Sequence, residues 1–412
     1  MRAAHRTAAR RRSSAVILIA AALVLAPACS TSSDSSKPTG DEPDRSTTTS
    51  LPESSGAAFY DPPDPLPEAE PGTLLRTEPM RVLPGARGWK VLYHSRSVDG
   101  RNIVVSGAVI VPDGKPPEAG RTVVAVGPGT VGLADSCASS ANGGGLAPAL
   151  RDSWLDAGYV VAVTDYEGLG TPGLHPYGVG ESEGRSILDA ARAAIALPES
   201  GASDDVVLYG HSQGGHAAFF AADIAAEYAP ELAVIGTVAQ APLISLVNVM
   251  RLGADSPDFA GFLVMFMRGL NAAYPDQAVL DAVMTEDGIE QSSIVEEACA
   301  DVVLERFAQI GLDALLVQNP AEVPQWLALL ESNSLAGGRF TTPLLLTKGD
   351  ADEVLPKALT DVFADGLCAA GDNVEYRTYE AATHRSVIDQ SADDVVAWIA
   401  ARVAGTPAKS TC

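Results

Sequence analysis

Three stretches of the chain carry residues whose types and spacing can do chemistry. Gly210-His211-Ser212-Gln213-Gly214 follows the apolar run VVLY and precedes a helical pattern. A serine held at a sharp strand-to-helix turn is presented as a nucleophile, and glycines beside it admit the tight backbone. Helix N-terminal N–H groups point to where negative charge develops on an attacked carbonyl, so the N–H of Gln213 is expected in an oxyanion hole. Such a serine needs a base, and the base needs an acid to orient it. The run LLLTKGDADEVLP supplies two candidate acids, Asp350 and Asp352. His384, in YEAATHRSV, is the candidate base. The other histidines are set aside by position. His5 lies in the basic N-terminal segment, His94 in an early hairpin, His175 before the serine, and His211 and His216 beside it. A second oxyanion donor is expected from the glycine-rich stretch Gly127-Pro128-Gly129-Thr130-Val131-Gly132, with Thr130 first and Val131 next.

These residues need a scaffold that brings distant loops together. β-rich runs at 89–96 and 103–111 flank Asp99-Gly100 and read as a hairpin. Short apolar runs at 122–127, 159–165, 206–209, 235–239, 344–348 and 374–379 suit buried strands of a largely parallel sheet. Helical periodicity at 181–197, 214–227, 356–370 and 391–403 alternates with them. The expected class is α/β, a mostly parallel sheet with antiparallel strands at its start. Serine, acid and histidine then follow three successive strands in the order of an α/β-hydrolase. One interval breaks the alternation. Residues 243–340 have helical periodicity and little strand character, and read as an inserted helical cap. Within it, FAGFLVMFM at 259–267 is expected to be cap core rather than pocket wall, since Met and Phe stripes usually serve packing.

Composition and the N-terminus bound the rest. The chain has 412 residues, 28 Lys+Arg against 52 Asp+Glu, and a net charge of −24. That balance excludes counterion-driven nucleic-acid binding. Residues 1–14 hold five arginines and no acid, and AVILIAAALVLA at 15–26 is an apolar run of twelve. A basic region, a short apolar region and the small-residue exit Ala26-Pro27-Ala28 read as a secretory signal at 1–28. Twelve residues fall short of the roughly 20 needed for a spanning helix. Without the signal the charge becomes −29, because five arginines leave and no acids do. Cys29 stands where a lipobox-like segment would place an acylated cysteine, a tether for membrane contact. Residues 30–56 contain 14 Ser/Thr, too polar to bury a core, so 29–56 is expected to be a disordered stalk ahead of a domain at 57–412. Four cysteines remain: Cys137, Cys299, Cys368 and Cys412. In an exported chain they suggest two disulfides, with three pairings open. Their spacing suggests no metal site, and no cofactor is expected.

The segments FYDPPDPLPEAEPGTLLRTEPM (59–80), GPGTVGLADSCASS (127–140), TDYEGLGTPGLHPY (164–177), GHSQGG (210–215) and GDADEVLP (349–356), with the late His384, together resemble the secretory lipase family of α/β-hydrolases, the lipase-A-like group. The resemblance implies a hydrolase core with a helical cap and carboxylic-ester hydrolysis, often of triacylglycerols. It implies Ser212, Asp352 rather than Asp350, and His384 as the catalytic set. It also implies the pairings Cys137–Cys299 and Cys368–Cys412. Relatives commonly carry His before Gly-Thr in the oxyanion loop, where this chain has Pro128. The expectation is an extracellular or cell-surface serine esterase or lipase acting on small or lipid esters. Two alternatives stand beside it: an exported peptidase or amidase using the same triad, and a non-catalytic surface binding lipoprotein.

Overall fold

The computed structural model describes residues 59–142, 146–253, 256–335 and 340–412. The predicted signal at 1–28, Cys29 and the stalk at 29–56 lie outside these residues.

Nine strands form one sheet: β1 (Leu74–Met80), β2 (Ala86–Arg96), β3 (Asn102–Pro112), β4 (Arg121–Gly127), β5 (Val160–Thr164), β6 (Ala202–His211), β7 (Ala233–Gln240), β8 (Leu344–Gly349) and β9 (Val374–Tyr379). Their order is β1-β2-β3-β5-β4-β6-β7-β8-β9. The first three run antiparallel, and β5, β4, β6, β7, β8 and β9 pair in parallel. The helices are α1 (Pro148–Asp156), α2 (Gly180–Ala196), α3 (Gln213–Tyr228), α4 (Leu246–Gly253), α5 (Ala260–Ala273), α6 (Glu286–Ser292), α7 (Ala300–Ile310), α8 (Pro324–Ser332), α9 (Lys357–Ala370), α10 (Ser386–Gln390) and α11 (Ala392–Val403). This is the α/β-hydrolase arrangement.

The central strands are buried along their whole length because helices cover both faces. Alternate side chains sort between the layers. Val123, Ala125, Val206 and Leu208 pack with Ile187, Ala191, Ala217 and Ala221 of α2 and α3. Val124, Val126, Val207 and Tyr209 face Leu150 and Trp154 of α1 and Trp398 and Ile399 of α11. The hairpin of β2 and β3 turns at Gly100, whose φ of +82° is a left-handed conformation that glycine adopts without strain.

Two elements escape the sequence pattern. β1 is an edge strand whose residues are half-buried or exposed, so LLRTEPM lacks a clean apolar alternation, and Pro79 is tolerated there because one strand edge is unpaired. α1 carries only two buried side chains, Leu150 and Trp154. Residues 243–340, read as the cap, carry helices α4 to α8 and no ladder strand among those described. Their core gathers Leu263, Val264, Met265, Met267, Phe307 and Trp326.

Disulfides join Cys137 to Cys299 and Cys368 to Cys412. The first spans 162 residues and ties the loop after β4 to the start of α7. Beside it, the N–H of Ala300 donates to the carbonyl of Val131 at 2.9 Å, and Gly132 bridges Cys299. The second closes the C-terminus onto α9. A cross-link over so long a loop restricts the unfolded chain strongly. The double variant Cys137→Ser/Cys299→Ser is therefore expected to lose about 2–5 kcal/mol of stability, measured by urea unfolding. The Cys368→Ser/Cys412→Ser pair, closing a 44-residue interval, should cost less.

Candidate active site

β6 delivers the chain to Ser212 at φ 57° and ψ −118°, a region that costs a non-glycine residue strain unless its surroundings enforce it. Three hydrogen bonds enforce it here. The N–H of Ser212 donates to the carbonyl of Gln240 at 2.9 Å, and its own carbonyl accepts from His216 at 3.1 Å and Leu243 at 3.3 Å. The neighbouring glycines are required by contact. A Cβ on Gly210 would lie 1.9 Å from the carbonyl oxygen of Gly214, and one on Gly214 would lie 1.9 Å from that of Gly127.

Ser212 Oγ lies 2.9 Å from Nε2 of His384. Nδ1 of that ring lies 2.8 Å from Oδ2 of Asp352. A carboxylate at Nδ1 fixes the proton there and leaves Nε2 free to accept the serine proton. Asp352 is itself pinned: Oδ1 accepts the N–H groups of Val354 at 2.9 Å and Leu355 at 2.8 Å. Burial would raise its pKa, but the hydrogen bonds and charges of His384 and Lys348 outweigh burial and hold the carboxyl well below the usual range. Asp350, two residues earlier, is exposed and accepts from the N–H of Ala381 at 2.6 Å instead. The sequence left these two acids open, and the structure brings Asp352 to His384. Lys348, which sequence reasoning passed over as the end of a strand, has a side chain with 0% exposure and places Nζ 2.6 Å from Oδ2 of Asp352.

His211 also has a place. Its Nε2 donates to the carbonyl of His384 at 2.8 Å, and the two rings stand 4.7 Å apart. Burial first, and then the charge that His384 can carry, push its pKa down to about 3, so it is a neutral prop for the backbone of His384.

Gln213 opens α3, so its backbone N–H has no partner within the helix. Its side chain is held from behind. Nε2 lies 2.8 Å from Oε1 of Glu183 and 2.9 Å from Nε2 of His175. Glu183 is fully buried and also accepts from the N–H of Gly178 at 2.9 Å and faces Nδ1 of His216 at 2.9 Å. Nε2 of His216 donates to the carbonyl of Asn333 at 2.8 Å. None of this network was legible in the sequence. Glu183 lies in a helical pattern whose acidic face ordinarily meets water, and nothing local signals that α3 and the cap cover it. The hydroxyl of Thr130 shares a hydrogen bond of 2.8 Å with that of Tyr177, and Tyr177 lines the pocket beside Ser212 and Gln213. Tyr166, at φ 73°, donates from its hydroxyl to the carbonyl of Pro128 at 2.9 Å and so supports the same loop.

The pocket over Ser212 is apolar. Phe259, Phe262 and Phe266 line one wall, and Leu243, Val249 and Leu355 complete it. Its cavity volume is only about 20 Å³, so it is a slot between side chains. The run at 259–267 therefore serves both roles weighed in the sequence. Leu263, Val264, Met265 and Met267 are cap core, while the three phenylalanines, at helical spacing, face the slot. Among the described residues no group of three or more His, Cys, Asp or Glu is placed to hold a metal ion.

The contact of Gly214 with Gly127 makes a specific expectation. Gly214→Ala should displace the loop after β4 or the start of α3, lowering stability by about 1–3 kcal/mol and ester hydrolysis by more than stability alone accounts for. Thermal unfolding and turnover of the folded fraction check this.

The sequence profile of the Secretory lipase family matches residues 149–411. A secreted triacylglycerol lipase, LIP4, of Malassezia globosa is 27% identical over 387 residues, covering 86% of this chain and 82% of its own. Lipase A of Arthroderma benhamiae is 25% identical over 382 residues, covering 86% and 80%. A Mycobacterium tuberculosis relative described as a probable inactive lipase is 27% identical over 404 residues, covering 90% and 86%. Among solved structures, Candida antarctica lipase A superposes with a TM-score of 0.75 at 21% identity, over 86% of this chain and 87% of that one, a likeness of fold. With a profile match over more than half its length, the chain belongs to the secretory lipase family.

Proposed function

We propose that this protein is an exported serine hydrolase that cleaves carboxylic esters, with Ser212 as nucleophile, His384 as base and then acid, and Asp352 as the group that orients His384. The observation that carries the reading is the unbroken line from Asp352 Oδ2 through His384 to Ser212 Oγ, at 2.8 and 2.9 Å, ending in an apolar slot. As Oγ adds to the ester carbonyl, its proton passes to Nε2 of His384. The oxyanion is received by the N–H of Gln213 and, as the second donor, that of Thr130. The tetrahedral intermediate then collapses with cleavage of the ester C–O bond, the imidazolium gives its proton to the departing alkoxide, which leaves as an alcohol, and the acyl group stays on Ser212 Oγ as the acyl-enzyme. Water then repeats the sequence through the same nitrogen and releases the acid. The apolar slot and the relatives named as secreted triacylglycerol lipases support acylglycerol-type substrates and an extracellular site of action.

The relative described as inactive sharpens the test. Ser212→Ala is expected to lower hydrolysis of p-nitrophenyl butyrate by about 10³-fold or more and to abolish fluorophosphonate labelling. Full activity in that variant overturns the reading, and preferential cleavage of aminoacyl amides by the wild type would turn it toward a peptidase.

The N-terminal signal and Cys29 support a lipid-anchored form of the enzyme, with residues 30–56 as its tether. Cys29→Ser should move the protein from the membrane fraction to the soluble one. An unchanged distribution argues for release without an anchor.

A further inference from the structure

Lys348 is a buried cation at the site that the ester mechanism above does not use. Its Nζ lies 2.6 Å from Oδ2 of Asp352, the same oxygen that faces Nδ1 of His384 at 2.8 Å. Its side chain is fully buried at the end of β8, and Asp352 is its hydrogen-bond partner among the described residues. Burial depresses the ammonium and the Asp352 charge only partly restores it, so a charged lysine is costly at this position. A methionine of similar length would fill the space without that cost. Asp352 does not need the lysine for support, since two backbone N–H groups and His384 already hold it.

We propose that Lys348 is a positioning residue for ester hydrolysis, sharing Oδ2 of Asp352 with His384 and so dividing the charge of that oxygen between the ammonium and the imidazole. The inference rests on the Ser212–His384–Asp352 reading and deepens it. A carboxylate alone stabilises the imidazolium and raises the pH at which the base form appears. A second cation on the same oxygen draws away part of that charge and lowers it again. The other groups facing His384 do not replace this effect. His211 is neutral, and Glu353, which accepts the backbone N–H of His384 at 3.1 Å, is an anion acting in the opposite direction. Asp361, on α9 near Lys348, is engaged by Lys357 at 2.6 Å and by the Tyr376 hydroxyl at 2.7 Å. Arg385 follows His384 in the chain but is exposed, where water screens it.

The test compares wild type with Lys348→Met and Lys348→Gln. Removing the cation should move the acid limb of kcat/KM upward by about 1 pH unit in both variants. Lys348→Met should also lower kcat about tenfold with KM within about twofold. Lys348→Gln should lose less, because its amide still donates to Oδ2 without the charge. The same shift should appear in the NMR titration of the His384 ring in a Ser212→Ala background, which needs no turnover. An acid limb and ring titration that stay in place, with only thermal stability reduced, overturn the proposal and leave Lys348 as packing. Activity surviving in Ser212→Ala would overturn the ester reading instead, so the two failures are distinct. Should Lys348→Met not fold by near-UV circular dichroism, Lys348→Gln and the charge-retaining Lys348→Arg carry the comparison, and Arg is expected to leave the limb where wild type has it.

Discussion

A backbone contact governs this molecule: the approach of Gly214 to the carbonyl of Gly127, close enough that no side chain fits between them. β4 and β6 are parallel neighbours, with Gly127 opposite Gly210 at their ends. The loop that follows one and the helix that follows the other therefore leave the sheet from the same edge. Only if they nearly touch can a donor from each reach one carbonyl oxygen. The strained φ of Ser212 is a consequence of the same contact, because the chain must reverse within a single residue to start α3. Asp352 and His384 arrive at that edge because they follow β8 and β9, the next parallel strands but one and two. The sheet thus acts as a ruler, and ligands of open α/β sheets gather at such carboxyl ends.

Around this edge, charge is buried in amounts that only saturated hydrogen bonding makes tolerable. Asp352 meets four donors. Glu183 meets Gly178, Gln213 and His216. His216 is wedged between that carboxylate and the carbonyl of Asn333. Glu183 and His216 are not among the residues that line the slot. They stiffen the first turn of α3 from behind, where a loose Gln213 would blunt the proposed oxyanion donor. The site is therefore a small polar patch supported by a much larger buried polar network.

How much of this could be read from the chain follows from the range of each signal. The buried strands announce themselves in runs such as VVAVG and LLLTKG because both their faces are apolar, and the serine elbow announces itself in its glycines. The histidine was found by order alone. Asp350 and Asp352 are not separable by composition, since both follow the same strand. What distinguishes them is that the chain at 352–355 turns back so that Val354 and Leu355 donate to Asp352. β1 was missed because an edge strand owes its place to its partner rather than to its own pattern. Lys348 and Glu183 were missed for a shared reason. A charged residue in a sequence signals water, and only tertiary covering by α3, α9 or the cap reverses that sign.

The cap is joined to the chemistry at one end. The Cys137–Cys299 bond, the Gly132–Cys299 bridge and the Ala300–Val131 hydrogen bond lock the start of α7 to the loop that carries Thr130. Thr130 in turn bonds Tyr177, and Tyr177 stacks on Phe266 at 4.5 Å between ring centres. Phe266 is 2% exposed, whereas Phe262, one turn earlier on α5, and Phe259, just before α5 begins, are half-buried. The floor of the slot is thus tied through Tyr177 to the expected oxyanion loop, while its mouth is closed only by side chains in contact with water. An acyl chain wider than the slot is accommodated most cheaply at that mouth. Moving Phe266 would disturb the Tyr177–Thr130 link, whereas turning Phe259 or Phe262 toward solvent leaves it intact. The same linkage that holds Thr130, the proposed second oxyanion donor, therefore also decides which end of the pocket is free to adapt.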